Sequence, residues 1–186
     1  LETAVLVGIM LSLLLYLRRT SRPALRSIVP DPAAPLRKFR ERRAGEPECP
    51  QLQMLRVEGS LYFGAVDHVA EYLGQIEERR PAQKHLLVLS KSMNFVDVAG
   101  AELLAREAGR RRARGGGLYF HGLRESASKM LHGPAFGGKF SPGDSFATKG
   151  QAIAAIFERL DRGVCATCRA RIFEECRRLP PPADPP

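Results

Sequence analysis

Two stretches of this 186-residue chain carry residue types that can do chemistry. The first is Ser92-Met93-Asn94-Phe95-Val96-Asp97-Val98-Ala99-Gly100, which closes one hydrophobic run and opens another. An aspartate just ahead of a helical pattern can accept the backbone N–H groups of the first turn, and a glycine three residues on lets a neighbouring backbone come close. A strand that delivers such a turn to a helix start offers an exposed place for a ligand, a partner or a switch. The second stretch is Cys165-x-x-Cys168 followed by Cys176, thiols of the kind used for redox exchange or for holding zinc or an iron–sulfur cluster. A closed zinc site needs four ligands, no second close pair is present, and the remaining thiol, Cys49, is far away in sequence. If the tail is helical, Cys165, Cys168, Ile172 and Cys176 fall near one stripe and pack as small apolar groups, so no metal site and no cofactor are assigned.

Catalysis finds little support. His68, His85, His121 and His132 fall in separate predicted elements, without the paired spacing of metal ligands or an obvious Ser or Cys nucleophile. No Gly-x-x-x-x-Gly-Lys-Ser/Thr phosphate loop occurs, and Gly115-Gly116-Gly117 end a helix instead of opening one. The chain is expected not to be an enzyme. Its net charge of +9 and the cluster Arg106, Arg110, Arg111, Arg112 and Arg114 raise nucleic-acid binding. Trp is absent, however, and aromatic residues are not interleaved with the basic ones as stacking platforms require. Arginines in the last turns of a helix favour its dipole, so they read first as structural.

These residues must be held by regular elements, and the hydrophobic pattern supplies them. His85 to Ser90 is a continuous apolar run, as expected of a strand buried on both faces. Before it, Gln51 to Val57 and Ser60 to Phe63 read as two short strands turning at Glu58-Gly59, and Val66, Val69, Ala70, Leu73 and Ile76 recur at helical spacing until Pro81. After the Asp97 turn, Ala101, Leu104, Ala105 and Ala108 form a helical stripe that stops at the glycine run. Leu118 to His121 gives another strand, Glu125 to Leu131 a short helix, and Ser145 to Thr148 a short edge strand. Thr148 and Gln151 then stand in capping-box spacing before Ile153, Ile156, Phe157 and Leu160. Strands joined through helices predict an α/β fold, a mixed sheet with helices packed mainly on one side.

The start of the chain has a different character. Ala4 to Leu17 is uncharged and almost wholly apolar for 14 residues, short of the roughly 20 that a bilayer crossing needs. Arg18, Arg19, Arg22 and Arg26 follow, with more arginines to Arg43, and basic residues at one end of a span mark its cytoplasmic side and attract anionic lipid headgroups. Residues 1–17 are read as the end of a last transmembrane helix in a piece of a longer membrane protein. Residues 18–50, broken by Pro23, Pro30, Pro32 and Pro35, are read as an irregular basic linker with short helical pieces. Residues 51–162 form one soluble domain, and 163–186 a Cys-containing tail whose proline-rich end, Pro180 to Pro186, is expected to be disordered.

Taken together, Ser92 to Leu104 resembles the signature of the STAS domain, and the apolar helix ending in Arg18-Arg19-Thr20-Ser21-Arg22-Pro23 is similar to the end of the last membrane helix in SulP anion transporters. The segment Cys165 to Cys176 also resembles an extension that follows the domain in some bacterial SulP proteins. The resemblance implies a STAS fold and a regulatory or assembly role on the cytoplasmic side of the inner membrane, in a secondary transporter of sulfate, bicarbonate or carboxylate. Its implied partners are the transmembrane domain of the same protein, membrane lipid headgroups, a second copy of the chain and a regulatory protein, but no nucleic acid. Ser92, Asn94, Phe95, Asp97, Val98, Ala99 and Gly100 would form the interaction turn. In the anti-sigma-factor antagonist branch that turn reads Asp-Ser-Ser-Gly and its second Ser is phosphorylated. Here the matching residue is Ala99, which has no hydroxyl. The alternative is a membrane-tethered STAS regulator that works by protein–protein contact, with weak nucleotide binding.

Overall fold

The computed structural model describes residues 2–34 and 38–181. An apolar helix, α1 (Glu2–Thr20), leads by a three-residue connection into β1 (Ala24–Pro30), β2 (Phe39–Glu41) and β3 (Leu52–Leu61). A short 3-10 turn, Phe63–Ala65, opens α2 (Val66–Arg79), and β4 (His85–Leu89), β5 (Met93–Val96) and α3 (Val98–Ala113) follow. The remainder is β6 (Gly117–His121), α4 (Glu125–His132), β7 (Ser145–Phe146), α5 (Lys149–Phe157), α6 (Arg162–Thr167) and α7 (Glu174–Arg177).

The strands form one mixed sheet in the order β2-β1-β3-β4-β6-β7, with β5 added beside the end of β3. Pairing is antiparallel among β2, β1 and β3 and parallel from β3 onward. Parallel neighbours need a crossover, and α2 and α3 supply it. Alternation along β4 divides the core into two layers. Leu86 and Val88 face a cluster with Val69 and Leu73 of α2, Leu104 and Ala108 of α3, and Leu131 of α4. Leu87 and Leu89 face a second cluster with Ile153, Ile156 and Phe157 of α5 and the buried Cys165 and Cys176 of the tail. The mixed sheet with α2, α3 and α4 on one side matches the expectation from sequence, and α5 with the tail covers the other side.

Three expectations are corrected. The region read as an irregular connector contains β1 and β2, and β1 pairs with β3 from Ala24↔Glu58 to Ser27↔Leu55, so the folded unit begins well before residue 51. The supposed hairpin at Glu58-Gly59 is the middle of one ten-residue strand, β3. Gly59 adopts φ +125, a conformation open to glycine, and the register shifts between Gly59 and Leu61 where β5 joins. The tail is not one helix, because an irregular stretch separates α6 from α7.

Every residue of α1 from Glu2 to Arg18 is exposed, so the apolar run lies outside both cores. Among the described residues no helix is long and apolar enough to cross a membrane. Residues 182–186, most of the end expected to be disordered, lie outside the described residues.

Candidate functional site

The turn that follows β4 is built on β3. Gly59 N donates to Ser92 O at 3.0 Å and Asp97 N donates to Leu61 O at 3.0 Å, so the two ends of β5 are tied to one strand. Met93 and Val96 point inward and are buried, whereas Ser92, Asn94 and Phe95 are exposed. The sequence presents this segment as a turn, and four of its residues in fact add a short parallel strand.

Asp97 is the joint of the site. One carboxylate oxygen accepts Gly100 N at 2.8 Å, capping α3, and the other accepts Phe63 N at 2.9 Å from the turn before α2. Gly100 is buried, and a β-carbon there would stand 2.5 Å from the carbonyl oxygen of Leu61. Both roles expected from the Asp-x-x-Gly spacing are therefore present. The Phe63 contact joins the starts of two helices.

Around this joint the surface is apolar. Phe63 is 82% exposed, Val98 56% and Phe95 46%, and the rings of Tyr62 and Phe95 lie 6.2 Å apart. These exposed apolar residues lie beside the ordered turn at Asp97, where Phe63 N is held by its carboxylate. Tyr62 and Phe63 were missed as site residues in the sequence, where they read as the end of a strand. The Phe63-Gly64-Ala65 that follows Tyr62 is the signal that a new element starts there.

An open groove of about 660 Å³ links this surface to α1, lined by Tyr16, Arg22, Pro23, Glu58, Gly59, Ser60, Tyr62, Asn94 and Phe95. Of the membrane-proximal arginines, Arg18, Arg22 and Arg26 are exposed. Arg26 lies in β1, where Nη1 donates to Glu41 at 2.6 Å, so it braces the sheet edge. The α3 N-terminus, which would draw an anion, already binds the Asp97 carboxylate.

The other candidates resolve into structural roles. Glu107 accepts from Arg110 and from Arg111 Nε at 2.6 Å, and Arg111 also donates to Gln83 O at 3.1 Å. Arg114 binds Glu77 and Pro81 O, and Arg112 binds Lys139 O. Arg110, Arg111, Arg112 and Arg114 thus clamp α3 to α2 and to neighbouring loops, whereas Arg106 is exposed. His85, on β4, faces the Tyr119 hydroxyl at 3.0 Å, and burial beside Arg111 and Arg159 pushes its pKa down to about 4. His121 lies beside Phe146 O and is also pushed down by burial, while His132 contacts Ser128 and Ser145. Ser90 is buried and donates to His121 O at 3.0 Å.

Cys165 and Cys176 are buried, as is Cys49, and Cys168 is half-buried. Burial pushes the Cys49 thiol up to about 11 and raises those of Cys165 and Cys176. Of the three thiols placed on one stripe, Cys165 and Cys176 pack in the buried cluster and Cys168 does not, and Cys49, outside that stripe, packs beside them.

A mixed sheet of this order carries a capped turn beside β5 that exposes Phe63, Phe95 and Val98. A family model for the STAS domain matches residues 47–147, and the chain belongs to the STAS domain family. Among curated proteins, "Putative sulfate transporter YvdB" of Bacillus subtilis (strain 168) is 27% identical over 85 residues, 46% of this chain and 16% of that protein. The chain thus spans a small part of the relative's length. Among solved structures, the murine Slc26a9 anion transporter in its inward-facing state superimposes with a TM-score of 0.68 at 14% identity, covering 83% of this chain and 25% of that one. A sulfate transporter family protein from Wolinella succinogenes gives 0.52 at 19% identity, covering 69% and 97%. The unphosphorylated anti-sigma factor antagonist SpoIIAA gives 0.50 at 16%, covering 62% and 96%. The structural likenesses are of fold, and the STAS resemblance drawn from Ser92 to Leu104 agrees with the family match.

Proposed function

We propose that this chain is the cytoplasmic regulatory and assembly module of a SulP-type secondary anion transporter, with α1 forming the end of its last membrane helix. The observation that carries the reading is the position of α1. It leaves its whole apolar run exposed, ends in arginines, and enters the sheet after three residues, so that Tyr16 and Arg22 line the same groove as Phe95 of the turn. A helix placed so would carry the module close to a membrane surface, basic end outward to the lipid headgroups. The sulfate-transporter name of the Bacillus subtilis relative supports the substrate class, sulfate or a similar inorganic anion or carboxylate.

In this reading the chain makes and breaks no bonds. It acts by contact. A module tied to the last helix biases alternating access only if it touches the two transporter states differently. The surface of Phe63, Phe95 and Val98 is the part suited to that contact, and Ala99 removes the hydroxyl through which the sigma-factor branch is switched.

The test is anion uptake by vesicles holding the intact transporter that contains this chain. Replacing Phe95 and Val98 by Ser is expected to lower the uptake rate at unchanged membrane abundance. Uptake unchanged after removal of the whole sheet domain overturns the regulatory role. A second reading, a membrane-tethered regulator without a transport domain, draws on the same exposed aromatic surface. It predicts that the native protein captures a soluble partner through Phe63 and Phe95 and moves no anion.

A further inference from the structure

The carboxyl ends of the parallel strands carry positive charge that the fold leaves without a counter-charge. Arg56 of β3 stands beside Leu89 of β4, Leu89 beside His121 of β6, and His121 beside Phe146 of β7, so the four form one row across that edge. Alternation along the strands turns the row to the side that α5 covers, since Met54, Leu87, Leu89 and Tyr119 face the cluster holding Ile153 and Ile156 of α5. α5 itself starts at Lys149, three residues after Phe146, and Lys91 is the second residue beyond β4.

Contacts draw these groups together. Arg56 Nη2 donates to Phe39 O at 3.4 Å, and Lys149 Nζ lies 4.9 Å from the centroid of the Phe39 ring. His121 Nδ1 donates to Phe146 O at 3.3 Å, and Gly122 N donates to the same carbonyl at 3.2 Å. A β-carbon on Gly122 would stand 3.4 Å from the Lys91 side chain. His121 is buried, Arg56 and Lys149 are half-buried, and Lys91 is exposed.

Among the described residues, Arg56, Lys91 and Lys149 form no ion pair with a carboxylate. Glu41 of β2 and Glu58 of β3 are instead held by Arg26, at 2.6 and 3.7 Å. On α3 the arrangement is the opposite, because Arg110, Arg111 and Arg114 each meet Glu77 or Glu107. Crowded cations disfavour one another's charge, and the Lys149 ammonium is pushed down by burial and then by Arg56 and Lys91.

We infer that Arg56, Lys91 and Lys149 bind a phosphate group at the carboxyl edge of the sheet, with His121 as the floor of the site. In open α/β sheets, ligands settle outside the carboxyl ends of the strands. A guanidinium offers paired donors to two phosphate oxygens, and each ammonium adds a point charge with rotatable donors. An anion among the three cations replaces their mutual repulsion with attraction. Two sources can carry the group, a free phosphate compound and the headgroup of an anionic lipid. The second is within reach because Ala24, at the start of β1, pairs with Glu58, which brings the end of α1 to the same edge of the sheet.

The test follows the His121 ring signals by NMR in the full chain. One arm holds the chain in neutral detergent micelles and adds inorganic phosphate, with chloride keeping the ionic strength constant. The other compares phosphatidylcholine nanodiscs with and without phosphatidylglycerol. Saturable shifts with inorganic phosphate identify a free phosphate compound, and shifts with phosphatidylglycerol alone identify a lipid headgroup. In either case R56Q and K149Q should each weaken binding roughly tenfold or more, as expected for loss of a charged hydrogen bond. R106Q, which removes an exposed cation of α3, should bind as wild type. Circular dichroism checks folding, and K91Q, altered at an exposed side chain, keeps the test open if R56Q unfolds. Signals unmoved in both arms overturn the site. So do shifts of equal size in wild type, K91Q and K149Q, or binding lost as fully in R106Q as in K149Q. The outcome does not depend on anion transport, so its failure leaves the proposed function untouched.

Discussion

The carbonyl oxygen of Leu61 lies where a β-carbon on Gly100 would have to be, at a separation of 2.5 Å. The same carbonyl accepts Asp97 N, so the end of β3 and the start of α3 are fixed against each other by a close approach and a hydrogen bond together. Both partners are backbone, and neither can swing aside. G100A is therefore expected to cost roughly 1–3 kcal/mol, the usual range for overpacking a tight contact. Urea unfolding of G100A beside wild type measures it, and an unchanged midpoint would show that the approach is looser than described.

Asp97 satisfies two backbone donors from different elements, Gly100 N and Phe63 N. D97A should lower stability by about 1–2 kcal/mol through loss of the cap, and hydrogen exchange should rise at both Phe63 and Gly100. D97N, which keeps one good acceptor, should lose less. Exchange rising at Gly100 alone would mean that the joint to Phe63 is not formed.

Glu107 and Arg111 are a buried pair, 1% and 4% exposed. Removing one partner by E107A leaves the guanidinium without its carboxylate in a poorly solvated place, a change that costs roughly 3–5 kcal/mol. E107L combined with R111M removes both charges and should recover most of that loss in thermal unfolding. If the double variant is as unstable as E107A, packing and not charge is what the pair supplies.

His85 makes stability depend on pH. Its folded pKa of about 4 lies below the ordinary value of 6.5, chiefly through burial. Between those values the unfolded chain takes up a proton that the folded chain refuses, so stability is full above the ordinary value and falls as the pH drops toward 4. The expected loss across that window is on the order of 2 kcal/mol. H85N should flatten the slope of unfolding free energy against pH there, and an identical slope in both proteins would assign the dependence to other groups.

How much of this could be read in advance depended on how local each signal was. Asp97, Gly100, the Thr148–Gln151 capping box and the fully buried β4 were readable because cap, glycine and burial act within a few residues. β3 was misread as a hairpin because Glu58-Gly59 has turn chemistry, and only its pairing with both β1 and β5 keeps it extended. β1 was hidden among prolines and arginines because its support is a partner strand about thirty residues away, with Pro30 tolerated at its end. The apolar surface of the site was half visible: Phe95 and Val98 lie within the turn, but Phe63 joins them only through its N–H bond to Asp97. The meeting of Cys49 with the tail thiols was beyond any local pattern, since the sheet brings them together.

Anion uptake is the measurement that bears most directly on the proposed function, taken in vesicles with the intact protein that contains this chain and with Phe95 and Val98 both replaced by Ser. The proposed function predicts a slower uptake at equal membrane abundance and equal fold stability, because it assigns the exposed surface beside Asp97 to contact with a transport domain. Uptake at the wild-type rate, with that surface removed and then with the entire sheet deleted, would contradict it.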